Sequence, residues 1–455
     1  GEGEKRHALF SDRISNSRRK DAKDAKKSTN KQEGILCVLC VFAAGVHMNA
    51  TDYDILIIGG GMVGASLGVA LAPLPLRVGL IEAVEFESAA QPSYDDRTVA
   101  LSYGSKRIFE SLGVWSRLEA RDATAIQRIH ISDRGRFGFA RLDASEADVA
   151  ALGYVVENRA LGQALKPALA ETANLTFICP ATVEDVTFAE GAASVTFRRG
   201  GKLETLSARL VVAADGGTSP VRNKAGIEAQ RTDYHQTALV TNVTPELPHR
   251  NVAYERFTNN GPLAFLPMSE NRCAVVWSLS PEKVEALLAL DAAQFLTALQ
   301  EHFGTRLGRL LKVGKRAAYP LALTKVSEHI RPRLVLIGNA AHTVHPVAGQ
   351  GFNLGLRDVA VLAQVLNEAQ RAGRDIGELA VLDGYARWRK RDNLAISTFT
   401  DGLVRTFSND LAPLSFVRTL GLVAVDLFPP AKRLLLRLSM GLAGRLPRLA
   451  RGLPL

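Results

Sequence analysis

Cysteine is scarce in this sequence. The 455 residues contain four cysteines, which are too few and too scattered for a disulfide framework. Cys179 and Cys273 lie within apolar stretches and are expected in a core. Cys37 and Cys40 form a lone C-x-x-C pair, so we expect no metal or redox site there. This cysteine usage favours a reducing, cytosolic compartment.

Acidic residues are missing from the C-terminal end. Residues 431–455 contain six Lys or Arg and no Asp or Glu, and residues 1–47 contain ten basic and six acidic residues. These two ends account for the whole formal charge of +10, so the body between them is neutral. A neutral body argues against nucleic-acid binding, and we expect no nucleic-acid partner.

The first 47 residues lack what a membrane-spanning helix needs. Residues 1–33 are polar and charged, a composition typical of disorder. The apolar run from Ile35 to Val46 is far shorter than the roughly 20 residues of a spanning helix. We expect residues 1–47 to be a disordered or non-native leader before a start at Met48, and a cleaved signal peptide is the alternative.

A nucleotide-binding pattern follows this leader. Asp54 to Ile58 has the composition of a buried strand, and the run Gly59-Gly60-Gly61-Met62-Val63-Gly64 leads into a helix-compatible segment. Gly59 allows a tight turn, Gly61 lets the backbone approach a pyrophosphate, and Gly64 lets the helix pack on the strand. A second strand ends at Glu82, where an acid can accept ribose hydroxyls. The pattern indicates an adenosine diphosphate group and leaves FAD and NAD as alternatives.

Two further motifs decide between these cofactors. Leu210 to Arg222 reads as a strand that enters an Asp-Gly turn at Asp215, and Leu334 to His342 reads as another strand. With the run from His345 to Asp358, the set resembles the FAD-dependent aromatic hydroxylases, and that run resembles the signature of their ubiquinone-biosynthesis branch. The resemblance covers Asp54 to about Pro430. It implies an α/β fold, with a Rossmann-like FAD-binding domain, an inserted antiparallel β-sheet substrate domain and a helical C-terminus.

The resemblance also implies which residues hold FAD. Asp215 and Arg222 would lie near the pyrophosphate and the nicotinamide route, and Asn339 stands where the family has an acid on the ribityl chain. Backbone N–H groups between Gly349 and Gly351 would face the isoalloxazine. The implied FAD-binding residues are Gly59, Gly61, Gly64, Glu82, Arg97, Gln163, Asp215, Asn339, Pro346, Gly349 and Gly351.

The sequence identifies neither a metal site nor a catalytic acid or base. His342 and His345 are three residues apart but lack a third ligand, so we expect no metal. Residues 231–325 alternate short apolar runs with turns, which predicts an antiparallel sheet. We place the FAD-binding domain at 48–230, with some substrate-domain elements, and at 326–400. The substrate sheet then occupies 231–325, and 401–455 forms a helical basic tail.

The resemblance narrows toward hydroxylases of 2-octaprenyl-6-methoxyphenol, through Ser132–Gly135, Tyr254–Met268, Gly314–Leu321 and Asn339. It implies hydroxylation of a polyprenylated phenol by O2 through a flavin C4a-hydroperoxide, in ubiquinone biosynthesis. A second glycine fingerprint is absent, so NAD(P)H, the expected reductant, would bind without its own Rossmann domain. The ring carbon stays open. The alternatives are a halogenase or prenyl reductase on the same scaffold, and a non-catalytic flavin-binding subunit of a membrane-associated biosynthetic complex.

The C-terminal tail has the pattern of a basic amphipathic segment. Six cations, from Lys432 to Arg451, alternate with leucines. We expect this tail to hold the protein, otherwise cytoplasmic, against the bacterial inner membrane, where a polyprenyl substrate and other ubiquinone-biosynthesis proteins would be its partners. The alternative is a helix packed on the flavin domain with its arginines in water.

Overall fold

Three sheets and the helices around them form the described part of the chain in a computed structural model. The structure describes residues 51–86, 88, 91, 93, 97–118, 122–135, 138–258, 260–345, 349–407 and 426–455. The leader predicted for residues 1–47 lies outside these ranges.

The elements are numbered here in chain order. The strands are β1 Tyr53–Ile58, β2 Val78–Ile81, β3 Thr98–Ser102, β4 Ala123–Ile126, β5 Arg128–Asp133, β6 Phe139–Asp143, β7 Gly153–Glu157, β8 Leu175–Ile178, β9 Thr182–Phe188, β10 Ala193–Arg199, β11 Lys202–Ala213, β12 Ala229–Pro245, β13 Val252–Thr258, β14 Gly261–Pro267, β15 Cys273–Leu279, β16 Leu310–Val313, β17 Ala317–Val326, β18 Ile330–Arg331, β19 Leu334–Leu336 and β20 His342–Thr343. The helices are α1 Met62–Ala70, α2 Tyr103–Ser111, α3 Asn158–Ala170, α4 Pro220–Lys224, α5 Pro281–Ala289, α6 Ala292–Phe303, α7 Gln350–Arg371, α8 Leu379–Phe407 and α9 Pro429–Ser439.

The first sheet has a parallel centre. Its strand order is β18-β19-β11-β1-β2-β8, with β10 and β9 added antiparallel to β11. The run of apolar residues in β1 suits a strand buried on both faces. Ile55 and Ile57 pack toward a core that contains residues of α1 and α7, whereas Leu56 and Ile58 pack toward a second core with residues of β10 and α4. This sheet confirms the predicted Rossmann-like part.

The second sheet is antiparallel except where β13 runs parallel to β5. Its order is β20-β17-β12-β15-β14-β13-β5-β6, with β16 beside β12. Side chains alternate along β15: Val275 and Trp277 pack on Phe295 and Phe303 of α6, while Val276 and Ser278 face a cavity. The fold class is confirmed, since an antiparallel sheet is inserted between parts of the first sheet.

Strand pairing crosses the domain boundaries predicted from the sequence. β5, β6 and β20 lie outside residues 231–325 but belong to the second sheet. The boundary at residue 230 falls inside β12, and the boundary at residue 400 falls inside α8. Long-range pairing decides where a sheet ends, and local composition does not record it.

The end of the chain packs on the first domain. Leu449 and Ala450 are buried in its main core, and the Ser111 hydroxyl donates to the Leu449 carbonyl at 3.0 Å. The Trp388 indole N–H donates to the Arg445 carbonyl at 3.0 Å. For these last residues the packed arrangement, the alternative considered above, is what the structure contains. In the described part of the chain, no helix combines the length and apolar composition that crossing a membrane requires.

Candidate active site

A large cavity is lined by residues of both main sheets. Its volume is about 1190 Å³, above the roughly 300–1,000 Å³ usual for ligand pockets. The glycine turn after β1 lines one end, and the inner face of the second sheet lines the other. A cavity of this size has room for a dinucleotide and for a second molecule beside it.

Two glycines of the turn lie where a side chain would collide with the backbone. Gly59 has φ +101°, and a Cβ there would lie 2.5 Å from the Ala214 carbonyl oxygen. A Cβ on Gly64 would lie 1.9 Å from the Gly59 oxygen, so only glycine lets α1 pack this closely on the strand. Gly61 lines the cavity, and a Cβ there would lie 2.8 Å from the Ser93 hydroxyl oxygen, which also lines it.

Glu82 directly follows β2 and lines the same part of the cavity. The Gly60 N–H donates to its Oε2 at 2.5 Å, and the Val84 N–H donates to its Oε1 at 2.9 Å. These bonds fix the carboxylate beside the turn. A carboxylate oxygen can accept more than one hydrogen bond, so the acid retains capacity for ribose hydroxyls.

Two helices begin at the cavity without a side-chain cap. α1 follows Gly61 and α7 follows Gly349, which adopts the left-handed conformation with φ 62°. Residues of both first turns line the cavity. Backbone N–H groups at a helix start carry partial positive charge and favour anions. The cradle at Gly61 and these two helix starts therefore fit the pyrophosphate and the ring of FAD.

Asn353, in the first turn of α7, fixes the start of that helix. Its amide donates to the carbonyls of Ala100, at 2.8 Å, and of Gly349, at 2.7 Å. Its Oδ1 accepts the Ser102 N–H at 2.8 Å. The residue thus ties the start of α7 to β3, a contact that the sequence did not reveal.

Asp215 lies at the cavity, and its own chain uses both carboxylate oxygens. Oδ1 accepts the Ser219 hydroxyl at 2.6 Å, and Oδ2 accepts the Val221 N–H at 3.0 Å. Burial raises the pKa of Asp215. Arg222 is buried and donates to the carbonyls of Gly217 and Ala340, each at 3.0 Å. These contacts join the Asp-Gly turn to the loop after β19.

The remaining predicted FAD residues fall into three groups. Asn339, Gly349, Gly351 and Arg97 line the cavity, and the Arg97 guanidinium carbon lies 4.8 Å from the centre of the Tyr319 ring. By contrast, Gln163 is exposed on α3 and is not among the cavity-lining residues that the structure describes, since the apolar face of that helix turns inward. Pro346 lies outside the described residues.

A buried ionic cluster around Asp358 was missed by sequence reasoning. Asp358 accepts the Gly338 N–H at 2.9 Å, bonds His342 Nε2 at 2.8 Å, and accepts Arg389 Nε at 2.6 Å. Burial alone would raise the pKa of Asp358, but His342 and Arg389 hold it well below its usual range. One signal was available: Arg389 follows Tyr385 by one helical turn on the buried face of α8.

The two histidines suspected of metal binding have other partners. His342 belongs to the cluster just described, and His345 Nε2 lies 3.2 Å from the Gln236 Oε1. Burial lowers the pKa of His345 to about 4. Within the described ranges, no group of three or more His, Cys, Asp or Glu side chains could hold a metal ion.

The second sheet and α9 enclose the other end of the cavity. The sheet contributes mainly apolar side chains, among them Ile131, Leu266 and Val276. Leu435 and Ser439 of α9 complete this wall. One acidic residue, Glu255, also lines it. This end can bind an apolar molecule with a small polar group.

Comparison with known proteins agrees with this geometry. Residues 52–397 match the family model of an FAD binding domain. The chain is 42% identical over 405 residues to the ubiquinone hydroxylase UbiL of Rhodospirillum rubrum, covering 88% of this chain and 93% of that protein. It is 35% identical over 392 residues to 3-demethoxyubiquinol 3-hydroxylase of Escherichia coli, covering 86% and 98%. The crystal structure of p-nitrophenol 4-monooxygenase PnpA of Pseudomonas putida superposes with a TM-score of 0.71 at 19% identity, covering 86% of this chain and 98% of that one, which shows a common fold.

Proposed function

Because the chain belongs to the FAD-dependent hydroxylases of ubiquinone biosynthesis and is thus an aromatic-ring monooxygenase, we propose that it hydroxylates a polyprenylated phenol of the 2-octaprenyl-6-methoxyphenol type. The observation that carries this proposal is the cavity that unites the glycine cradle with an apolar sheet face. One end fits a dinucleotide, and the other fits an apolar ring and its chain.

Different residues would bind the cofactor and the substrate. FAD, when bound, supplies the activation of dioxygen. Gly61 and the first turn of α1 would receive the pyrophosphate, Glu82 the ribose and Asn339 the ribityl chain, while the turn from Gly349 to Gly351 would receive the isoalloxazine. The apolar wall would exclude water and orient the phenol ring. The hydroxyl group of that ring already activates its ortho and para carbons.

The reductant in this proposal is NAD(P)H. The sequence offers no second glycine fingerprint, so the nicotinamide would approach the flavin through the same cavity. Anaerobic mixing of the FAD-loaded protein with NADH or NADPH tests this: the visible flavin absorbance should disappear with at least one of them. Flavin that stays oxidised with both would assign reduction to another donor.

The segment from Leu427 to Arg437, which includes most of α9, supports contact with an anionic membrane. Leu427, Phe428 and Leu434 are 75%, 58% and 59% exposed, and the exposed cations Arg433 and Arg437 lie on the same segment. Apolar side chains beside cations suit a leaflet with anionic lipids. Since Leu435 and Ser439 of this helix line the cavity, a polyprenyl substrate would pass from the bilayer along α9. Other ubiquinone-biosynthesis proteins on that membrane would be its neighbours.

Oxygen incorporation tests the proposed reaction. The FAD-loaded protein, NAD(P)H and 2-octaprenyl-6-methoxyphenol under isotopically labelled dioxygen should give a product with one labelled ring oxygen. Gly61→Val, which fills the cradle, should abolish product, whereas Gly191→Val, at a turn where a Cβ meets nothing within 4 Å, should not.

Two results would count against parts of the proposal. If the wild-type protein binds FAD and reduces it but labels no polyprenyl phenol, the hydroxylation is wrong. If it labels only a demethoxyubiquinol-type ring, it remains a hydroxylase and the substrate assignment changes.

A further inference from the structure

Glu255 is an acidic residue in an otherwise apolar row of the second sheet. On β13 it pairs with Ile131 of β5 on one side and with Ala264 of β14 on the other. The row continues through Val276 of β15 and Ala140 of β6. Side chains in register share one face of a sheet, so this carboxyl group stands among apolar neighbours on the cavity face.

The carboxyl group has no partner within the described part of the chain. Glu255 Oε1 is enclosed and makes no hydrogen bond with the residues described. Protein atoms cover most of the Glu255 side chain, and its remaining exposed surface faces the cavity. Arg256 cannot neutralise it, because the next residue of a strand points to the opposite face, where Arg256 donates to the Phe303 carbonyl at 2.8 Å. An enclosed carboxylate oxygen without a partner is destabilising, and a ligand that donates a hydrogen bond to it would relieve this cost.

Other charged and titratable groups lie near this row, but none of those described pairs with Glu255. Asp133 of β5 lies on the same face, one pair further along, opposite Phe257. Arg97, which also lines the cavity, stacks on Tyr319 of β17. Lys432 of α9 pairs with Glu146 and is not among the cavity-lining residues that the structure describes. Burial is the single cause that raises the pKa of Glu255, to about 7. Near neutral pH the residue can therefore both accept and release a proton.

We propose that the Glu255 carboxylate binds the ring hydroxyl of the substrate and takes its proton during hydroxylation. The phenol O–H bond breaks, its electron pair stays on the ring oxygen and spreads to the ortho and para carbons, and a new O–H bond forms on the carboxylate. An electron-rich ring carbon then bonds one atom of dioxygen as the O–O bond breaks. The hydrogen on that carbon leaves as a proton when the ring regains aromaticity, and this proton restores the hydroxyl on the first ring oxygen. The proton held by Glu255 is among those consumed as the second oxygen atom, reduced by NAD(P)H, becomes water. The inference rests on the proposed function and assigns its catalytic base.

Kinetics of Glu255→Gln test the proton transfer. For the wild-type protein, kcat/KM should rise with pH through a midpoint of about 7. The amide cannot take a proton, so Glu255→Gln should lower kcat about 10²- to 10⁴-fold and lose this pH dependence, with FAD content unchanged. The matched control is Glu184→Gln, the same change on the exposed part of β9, which should behave as wild type. Unchanged kcat and pH dependence in Glu255→Gln would overturn the inference.

Binding without turnover separates this inference from the proposed function. The FAD-loaded protein without reductant is titrated with 2-geranylphenol and with its methyl ether, which lacks the hydroxyl proton. Wild type should bind the phenol about 10- to 100-fold more tightly than the ether, and Glu255→Gln should lose this preference. If the preference depends on Glu255 while no polyprenyl phenol is hydroxylated, the function is wrong and the phenol site stands. If both proteins prefer the phenol equally, the site is wrong.

Discussion

At the scale of single residues, Asp358 shows how a buried charge fixes the turn at Gly338. Its two oxygens connect the Gly338 backbone, His342 and Arg389, and Arg389 is also 2.7 Å from Asp392. Removing one member of a buried ion pair leaves the other charge without compensation. The turn at Gly338, which presents Asn339 to the cavity, would lose its anchor at the same time.

We therefore expect Asp358→Asn to lower the free energy of unfolding by about 3–5 kcal/mol and to weaken FAD binding. Urea denaturation and flavin content after gel filtration measure the two effects. The control is Asp383→Asn. It breaks an exposed pair between Asp383 and Arg387, one turn apart on α8, and should lower the free energy of unfolding by about 0.5 kcal/mol or less. Equal stability of the two variants would contradict the anchoring role.

Glu255 gives a pH-dependent prediction at the same scale. Its folded-state pKa is about 7, above the usual 4.5, so between these values the folded protein holds a proton that the unfolded chain has lost. An acid shifted upward stabilises the fold less as pH rises, and the loss across this window is roughly 3 kcal/mol.

Glu255→Gln does not titrate, so its free energy of unfolding relative to wild type should increase by about 3 kcal/mol from about pH 5 to about pH 8. Urea denaturation of the flavin-free proteins at several pH values measures this difference. If Glu255 instead formed a structural ion pair, the free energy of unfolding of Glu255→Gln relative to wild type would fall over this pH range. For Glu184→Gln, the free energy of unfolding relative to wild type should not change with pH over this range.

At the scale of elements, α9 has side chains in three different environments. Leu436 is buried against Leu142 and Leu152, and Leu435 lines the cavity, while Leu434 is exposed beside Arg433 and Arg437. Because the later residues Leu449 and Ala450 belong to the main core, removal of the whole tail would damage the fold. Point substitutions are the appropriate test of membrane contact.

Replacing Leu427, Phe428 and Leu434 together by serine should strongly reduce flotation with anionic liposomes at low salt. The physical reason is the loss of apolar area that would otherwise be buried in the leaflet. The matched control replaces three leucines on other surfaces, Leu203, Leu247 and Leu311, which are 57%, 49% and 49% exposed. If both triple variants float like wild type, α9 does not bind membranes. The same conclusion holds if wild type floats equally with anionic and with uncharged liposomes.

At the scale of the whole molecule, the cavity couples FAD to stability. The cofactor would bridge the glycine turn, the Asp-Gly turn and the start of α7, which come from distant parts of the chain. A ligand that binds only the folded state stabilises it by about 2.7 kcal/mol at a concentration 100 times its Kd. The thermal midpoint should therefore rise with added FAD in wild type and in Gly191→Val, but not in Gly61→Val. A midpoint that rises equally in all three proteins would place FAD elsewhere.

The sequence by itself determined the cofactor end of the site and the family. The β1 strand, the turn from Gly59 to Gly64 and α1 are contiguous, so the order of residues specifies their geometry without any distant contact. The predicted fold class, FAD cofactor and enzyme class are confirmed for the same reason, since short motifs carry them. The predicted FAD contacts of single residues remain predictions.

Only the tertiary structure decided the apolar end of the cavity. Glu255 lies next to Arg256 in the chain, and a reader of the sequence would pair them; strand geometry sends them to opposite faces and leaves the acid alone. Likewise, β5 and β6 join the second sheet and α9 closes the cavity through contacts between residues more than 100 positions apart. Register and packing between distant segments decide which side chains share a cavity, and no local pattern records either of them.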